Sequence, residues 1–157
     1  MKELFIVRTG DHDDLGEENL SSYGERQINR LAKKIRSDYA PSSSVSLLCS
    51  PIPNAVQSAE IFKKVLGLEG YAEERVFAGG YEISTIEEKI GRYNSDRIIV
   101  VTHEVPAFVY SQHMIKILGI DKKAKDLDNG ECAYFNLEGK TYQILRHSDK
   151  VEADISI

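Results

Sequence analysis

The sequence has few of the features that mark metal-binding, secreted or membrane proteins. Its 157 residues include only two cysteines, Cys49 and Cys132, and no Cys-x-x-Cys pair, so we expect neither a metal site nor a disulfide framework. The apolar runs at 4–7 and 98–101 are far shorter than the ~20 residues that span a bilayer. No small-residue cleavage site follows the first run, which argues against a signal peptide. We therefore expect a cytoplasmic protein with reduced core thiols and no membrane association.

An excess of positive charge is also lacking. The chain has 20 Lys and Arg against 25 Asp and Glu, for a net charge of -5. Because a nucleic-acid-binding domain needs a basic face, we expect no binding to nucleic acid. With 41% hydrophobic and 29% charged residues, the composition is that of an ordinary globular domain. No linker, repeat or low-complexity tract interrupts it, and the length fits one domain. We therefore predict a single domain over residues 1–157.

The pattern of apolar residues predicts alternating strands and helices. Strands are expected at 3–8, 45–49, 97–102, 131–137 and 141–146, and helices around 22–35, 55–66, 82–93 and 106–119. Ser22 and Glu25 have the spacing of a capping box at the first helix, and Gly67 is expected to end the second. The nearly continuous apolar strands favour burial on both faces, as in parallel sheets. The turn at 137–140 favours a hairpin. We predict an α/β three-layer sandwich: a mostly parallel central sheet, helices on both faces and a C-terminal antiparallel hairpin.

In such folds ligands bind at the carboxyl ends of the strands, so the residues there are the candidates for function. The first predicted strand ends in Arg8 and leads into Thr9-Gly10, Ser50-Pro51 follows the second, and His103 follows the third. A guanidinium suits phosphate oxygens, and an imidazole can donate a hydrogen bond or transfer a proton. Taken singly, these residues identify no function, because a surface ion pair at Arg8, a helix start at Ser50 and a structural imidazole at His103 explain them better.

Their joint order carries more information. The chain has Arg8-Thr9-Gly10, then 20–28 (LSSYGERQI), then 50–59 (SPIPNAVQSA), then Thr102-His103, and a last strand within 130–135 (GECAYF). This order resembles the histidine phosphatase (phosphoglycerate mutase-like) superfamily, and most of all its short SixA-type phosphohistidine phosphatases. The resemblance covers roughly residues 1–146 and implies a phosphate-binding cavity at the strand ends.

The departures from that family fall on its reacting groups. The resemblance implies a nucleophilic His where this chain has Thr9, a phosphate-binding Arg where it has Asn54, and another Arg where it has Glu18 or Asn19. A Thr hydroxyl needs an adjacent base to become a nucleophile, and losing the nucleophile of a covalent mechanism can cost on the order of 10⁶ in rate. Arg8 and His103 remain. They and Asn54 are the predicted phosphate-binding set, with no residue assigned as catalytic.

Two functional hypotheses follow from the resemblance. The first is a non-catalytic histidine phosphatase-fold protein, without cofactor or metal, that binds a phosphorylated small molecule or protein. The alternative is an active phosphohydrolase, acting on phosphohistidine or a small phosphomonoester through an unusual nucleophile. His12, or Thr9 activated by His103, would then attack phosphorus. Glu82 is a candidate proton donor, or the cap of a helix. The oligomeric state is left open.

Two other classes of protein fit less well. Asp11, Asp13 and Asp14 suggest a receiver-like domain, but the second strand ends in Ser50-Pro51 rather than in a phospho-accepting Asp. No Gly-x-Gly-x-x-Gly follows the first strand, which disfavours a dinucleotide-binding domain.

Overall fold

The computed structural model describes residues 1–13 and 18–148. The strands are β1 (Glu3–Arg8), β2 (Val45–Cys49), β3 (Ala72–Glu73), β4 (Arg97–Thr102), β5 (Cys132–Asn136) and β6 (Thr141–Leu145), and the helices are α1 (Ser22–Asp38), α2 (Pro53–Leu66), α3 (Ile83–Gly91) and α4 (Glu104–Leu118), with a 3-10 turn at Arg75–Ala78. Within these ranges no helix is long and apolar enough to cross a membrane. Residues 149–157 of the predicted domain, and Asp14 of the acidic cluster, lie outside the described residues.

The strands form one mixed sheet in the order β3-β2-β4-β1-β5-β6. The pairs β2–β3, β2–β4 and β1–β4 are parallel, whereas β5 runs antiparallel to both β1 and β6. The predicted α/β class, the mostly parallel sheet and the C-terminal hairpin are confirmed.

Helices cover both faces of the sheet because side chains alternate along each strand. Phe5 and Val7 of β1 point into the core beneath α1 and α2, while Leu4 and Ile6 point into the core beneath α3 and α4. All six residues of β4 are buried, which is why that strand is apolar almost throughout.

The structure corrects several element boundaries. Ser21, not Ser22, caps α1: its Oγ accepts a hydrogen bond from the Gly24 N–H at 2.9 Å, so the predicted capping box is wrong. The two-residue β3 was not predicted, because it is too short to show an alternation. The fourth helix begins at Glu104 rather than near Pro106, since a proline is tolerated within a first helical turn, where no intrahelical N–H bond is lost.

Strand register brings the candidate residues to one edge of the sheet. Arg8 pairs with Thr102, and Cys49 pairs with Val101. β1, β2 and β4 therefore end at the same level, which places the residues that follow them next to one another.

Candidate ligand-binding cavity

A cavity of about 310 Å³ lies at this carboxyl edge. It is lined by Arg8, Thr9, Gly10, His12, Glu18, Asn54, His103, Glu104 and Asn129. Five of the six predicted site residues thus meet in one place. The sixth, Glu82, is not among the lining residues: it precedes α3, and its side chain makes no capping hydrogen bond. Asp11 and Asp13 are likewise absent from the described lining.

The Thr9 hydroxyl, at the position of the family's nucleophile, is bound to α2. Thr9 Oγ1 donates to the Asn54 carbonyl oxygen at 3.0 Å and lies 2.9 Å from Ser58 Oγ. Ser58 Oγ also donates to the Asn54 carbonyl oxygen, at 2.8 Å. Thr9 is 5% exposed. The hydroxyl therefore takes part in a buried network at the wall of the cavity.

The retained imidazole is held by a serine. His103 precedes α4, and its Nε2 lies 2.8 Å from Ser50 Oγ. Ser50 is fully buried and its Oγ accepts a hydrogen bond from the Ile52 N–H at 3.2 Å. Burial lowers the pKa of His103 from its ordinary value of 6.5, Glu18 acts to raise it and Arg8 to lower it. We therefore expect the imidazole to be mainly neutral at pH 7.

The Arg8 guanidinium bridges two elements at the cavity wall. Its Nη1 donates to the Leu127 carbonyl oxygen at 2.5 Å, and its Nη2 lies 3.8 Å from Glu104 Oε1. The sequence left open whether Arg8 forms an ion pair or faces a ligand. Arg8 forms an ion pair with Glu104 and also lines the cavity.

The structure separates the two residues that align with the family's second arginine. Glu18 lines the cavity. Asn19 instead accepts a hydrogen bond through Oδ1 from Gln57 Nε2, at 2.8 Å. Of these two residues, Glu18 therefore contributes a carboxylate to the cavity wall, and Asn19 is not among the lining residues.

Asn54 supplies an unused acceptor. The residue is 6% exposed and lines the cavity. Its Oδ1 is buried and has no hydrogen-bond partner among the described residues. Buried polar atoms are normally paired, so this oxygen, which is closed to solvent, is an exception among the described residues.

His12 lies at the rim. Its side chain is exposed, and its Nδ1 lies 3.0 Å from the Asp13 carbonyl oxygen. An isolated bridge to Leu20 fixes the backbone of His12. His12 is a lining residue of the same cavity as Arg8 and His103.

Motif residues outside the cavity position the loop that forms its wall. A Cβ on Gly24 would lie 2.0 Å from the Asp11 carbonyl oxygen, so the loop after β1 fits against α1 only if residue 24 is glycine. Gln27 Oε1 accepts from the Asp11 N–H at 2.8 Å, and Gln57 Oε1 from the Leu20 N–H at 2.7 Å. The two glutamines hold the loop at its two ends.

Sequence reasoning assigned no role to several residues of this site. Ser58 lies four residues after Asn54, a spacing that places both on one face of a helix, and this signal was available. Glu104 follows His103 directly, and an acidic residue in a first helical turn is a recognisable sign of a helix start. Asn129 reaches the cavity from the loop before β5, and nothing local in the sequence indicates that.

The described residues contain no group of three or more His, Cys, Asp or Glu side chains that could hold a metal ion. The side chains that line the cavity carry one guanidinium, two carboxylates, two imidazoles and amide groups.

Comparison with known proteins gives structural likenesses. No protein-family model matches the chain, and no curated protein matches its sequence. Among solved structures, the protein histidine phosphatase SixA complexed with tungstate has a TM-score of 0.76 at 14% identity, covering 92% of this chain and 97% of that one. A putative phosphohistidine phosphatase SixA from Agrobacterium tumefaciens has a TM-score of 0.67 at 10% identity, covering 92% and 95%.

The wider superfamily is similar too. A phosphoglycerate mutase from Plasmodium falciparum has a TM-score of 0.61 at 13% identity, covering 92% of this chain and 88% of that one. Likeness at such identities concerns the fold, and it confirms the fold that the motif order predicted. The chain has the histidine phosphatase fold, in its short SixA-type form.

Proposed function

We propose that this protein is a non-catalytic member of the histidine phosphatase fold, whose retained cavity binds a ligand or a partner instead of hydrolysing a phosphoester. The observation that carries the proposal is the Thr9 hydroxyl. It occupies the nucleophile position and is bound to the Asn54 carbonyl oxygen and to Ser58. A hydroxyl nucleophile needs a base beside it. The retained imidazole of His103 contacts Ser50 Oγ through its Nε2, and not Thr9.

The charges of the cavity support the same conclusion. A transferring phosphoryl group needs cationic or N–H donors around its oxygens. Here Asn54 stands where an arginine is expected, Glu18 lines the wall, and Arg8 is offset by Glu104 at 3.8 Å. Each missing charge-assisted hydrogen bond removes roughly 1.5–3 kcal/mol, so a dianionic phosphate is expected to bind poorly.

The direct test is an assay of the purified protein with phosphohistidine and with an aryl phosphate. We expect no hydrolysis above that of a His103→Ala variant. Turnover that persists in Thr9→Ala but disappears in His103→Ala would show that the cavity is catalytic, and the proposal would be rejected.

A gain-of-function variant complements that assay. Thr9→His combined with Asn54→Arg returns the family's two key side chains, and we expect measurable hydrolysis that neither single variant shows. A folded double variant without activity would mean that the loss involves more than these two positions, with Glu18 and Glu104 the next to replace.

A second candidate function is a phosphohydrolase with His12 as nucleophile, favoured by the position of that imidazole in the same cavity as Arg8 and His103. Acid-quenched protein, incubated with acetyl phosphate and mapped by mass spectrometry, separates the two. A phosphoryl group on His12 that forms and then turns over would support the hydrolase, whereas an unmodified protein supports the non-catalytic reading.

The cellular compartment is part of the proposal. Cys49 and Cys132 are both free and buried, and free thiols persist in reducing compartments. This supports placing the protein in the cytoplasm.

A further inference from the structure

We propose that the solvent-facing side of α1 binds an acidic segment of a partner protein. The surface consists of Arg26, Arg30, Lys33 and Arg36, which we call the basic face of α1, and all four residues are exposed. This surface is separate from the cavity, so the inference holds whether or not the cavity is catalytic. It concerns recognition only and involves no chemical step.

The basic face is the part of α1 that the fold leaves uncovered. The opposite side of the helix is buried, with Ile28, Leu31 and Ile35 in the core. Residues three and four apart are neighbours on a helix surface, so the spacing 26, 30, 33 and 36 places the four cations in one row. At a rise of about 1.5 Å per residue, this row is about 15 Å long.

The charge of this helix is opposite to that of the molecule. The chain has a net charge of -5. From Arg26 to Arg36, however, α1 contains no Asp or Glu, and Lys34 adds a further cation beside the row. An anionic partner is therefore attracted to α1 and repelled by the acidic remainder of the surface.

No carboxylate of the described residues neutralises the basic face. Cations elsewhere in the chain are ion-paired, namely Arg8, Lys63, Lys89, Arg92, Arg97, Lys125 and Arg146. The contacts of the basic face are of other kinds: the Arg26 guanidinium lies 5.7 Å from the centre of the Tyr23 ring, and Arg36 Nη1 donates to the Val65 carbonyl oxygen at 3.2 Å. Neighbouring like charges destabilise a helix, so binding of an anion would relieve a repulsion that the folded protein carries.

The length of the row favours a short acidic peptide over a larger polyanion. An extended chain rises about 3.3 Å per residue, so about five residues of a partner span the row. A nucleic acid or a membrane surface extends well beyond it and would meet the acidic remainder of the protein.

The side chains around the row support the same choice. Apart from Tyr23, the exposed side of α1 has no large apolar residue, and helices that bind membrane surfaces need such residues as anchors. The Tyr23 ring already has Arg26 against it, which leaves less of the ring for a nucleic-acid base to stack on. An acidic peptide needs neither contact.

The test is a ¹H–¹⁵N NMR titration of the full chain with three probes: a capped hexaglutamate peptide, the matching hexaglutamine peptide and octauridylate RNA. We expect hexaglutamate to give saturable shifts at residues 23–37 and hexaglutamine to give none. Binding should weaken as salt rises from about 0.01 M to about 0.15 M, because the Debye length falls from about 30 Å to about 8 Å. Sedimentation with phosphatidylserine-containing vesicles measures binding to an anionic membrane.

Two matched double variants locate the surface. Arg30→Gln with Lys33→Gln removes two charges from the middle of the row, and we expect about tenfold weaker binding of hexaglutamate, in keeping with the loss of two exposed ion pairs. Lys116→Gln with Lys123→Gln removes the same charge from exposed positions elsewhere and should leave binding unchanged. The α1 variant should melt at the same temperature as the unmodified protein or higher, because it relieves repulsion, so unfolding would not explain a loss of binding.

The inference is overturned if hexaglutamate gives no shifts at residues 23–37, or if the α1 variant binds it as well as the unmodified protein. It is also overturned if RNA or vesicles bind more tightly than hexaglutamate, which would assign the basic face to another class of partner. The proposed function fails separately, through hydrolysis of phosphohistidine, and that result would leave this inference intact.

Discussion

Thr9 and Ser58 share one carbonyl oxygen. Their hydroxyl oxygens lie 2.9 Å apart, and each is within 3.0 Å of the Asn54 carbonyl oxygen. The two hydroxyl groups and the Asn54 carbonyl oxygen therefore form a closed, buried set of three contacts. This set connects the end of β1 with the first turn of α2. The network thus connects two elements of the fold at the wall of the cavity.

This network predicts coupled effects on stability. Thr9→Val keeps the shape of the side chain and removes the hydroxyl, and we expect the free energy of unfolding to fall by about 1 kcal/mol. Ser58→Ala should cost a similar amount. The double variant should cost less than the sum, because each single change already breaks the shared network. Urea denaturation measures all three, with Thr9→Ser as the control that keeps the hydroxyl. Strict additivity would contradict the network.

The titration of His103 reports on the cavity. Burial lowers its pKa below 6.5, Glu18 opposes that shift and Arg8 adds to it. We expect Glu18→Gln to lower the NMR titration midpoint further and Arg8→Gln to raise it. Arg92→Gln, on an exposed pair with Glu88, is the control and should leave the midpoint unchanged.

The same shift makes stability depend on pH. The folded state holds its proton on His103 less tightly than the unfolded state, so unfolding takes up a proton between the two pKa values. The contribution of His103 to stability is therefore present above pH 6.5 and is lost as the pH falls toward the folded pKa. Thermal melts should show a smaller acid-induced loss in His103→Gln than in the unmodified protein. An equal loss in both proteins would exclude this role.

Two glycines should respond to alanine with opposite sign. A Cβ at Gly24 would lie 2.0 Å from the Asp11 carbonyl oxygen, so Gly24→Ala must displace the loop, and we expect a loss of about 1–3 kcal/mol, as for other overpacked sites. Gly91, at the end of α3, has no atom within 4 Å of such a Cβ. Gly91→Ala should be neutral or should stabilise by up to about 1 kcal/mol. Equal effects in calorimetry would refute the close approach of loop and helix.

A buried carboxylate holds the turn before β5. Glu131 is 4% exposed, accepts a hydrogen bond from the Asp128 N–H at 2.8 Å, and is ion-paired with Lys125 and, at 3.3 Å, with Arg146. Glu131→Ala leaves these donors without their acceptor, and we expect a loss of about 3 kcal/mol.

The turn also reaches the cavity wall, because the Gly130 N–H donates to the carbonyl oxygens of Arg8 and Thr9. Glu131→Ala should therefore also shift the NMR signals of residues 8 and 9. Glu138→Ala, exposed in the hairpin turn, is the control. If Glu131→Ala lowers the free energy of unfolding by less than 1 kcal/mol, the carboxylate does not stabilise this turn.

Local patterns were sufficient for most of the fold. The first three predicted strands, 3–8, 45–49 and 97–102, have the observed bounds, because burial on both faces requires nearly continuous apolar residues. Errors occurred at ends and edges. The cap of α1 was misplaced by one residue, since adjacent serines at 21 and 22 offer the same chemistry. β3 was missed because two residues are too few to show the alternation of apolar and polar residues that marks a strand.

The membership of the candidate site was predictable in part, and its contacts were not. Arg8, Thr9, Asn54 and His103 were found through their order along the chain, and they meet at one edge because parallel strands end together. The local sequence gave no indication that Thr9 would bind Ser58. Partners separated by 49 residues are decided by how α2 packs on the sheet.

The sequence by itself determined the alternation of strands and helices, the edge of the sheet at which the candidate residues meet, and the presence of Thr9 and Asn54 where the family resemblance implies a histidine and an arginine. These three properties depend on residue identity and on short-range periodicity, and both can be read directly from the sequence. Only the tertiary structure decided that Glu18 rather than Asn19 faces the cavity, that Glu104 offsets Arg8, and that Asn54 keeps an unpaired oxygen. The charge balance and the hydrogen bonds of a site depend on groups that are far apart in the sequence. Their effects are therefore decided only when packing fixes the distances between those groups.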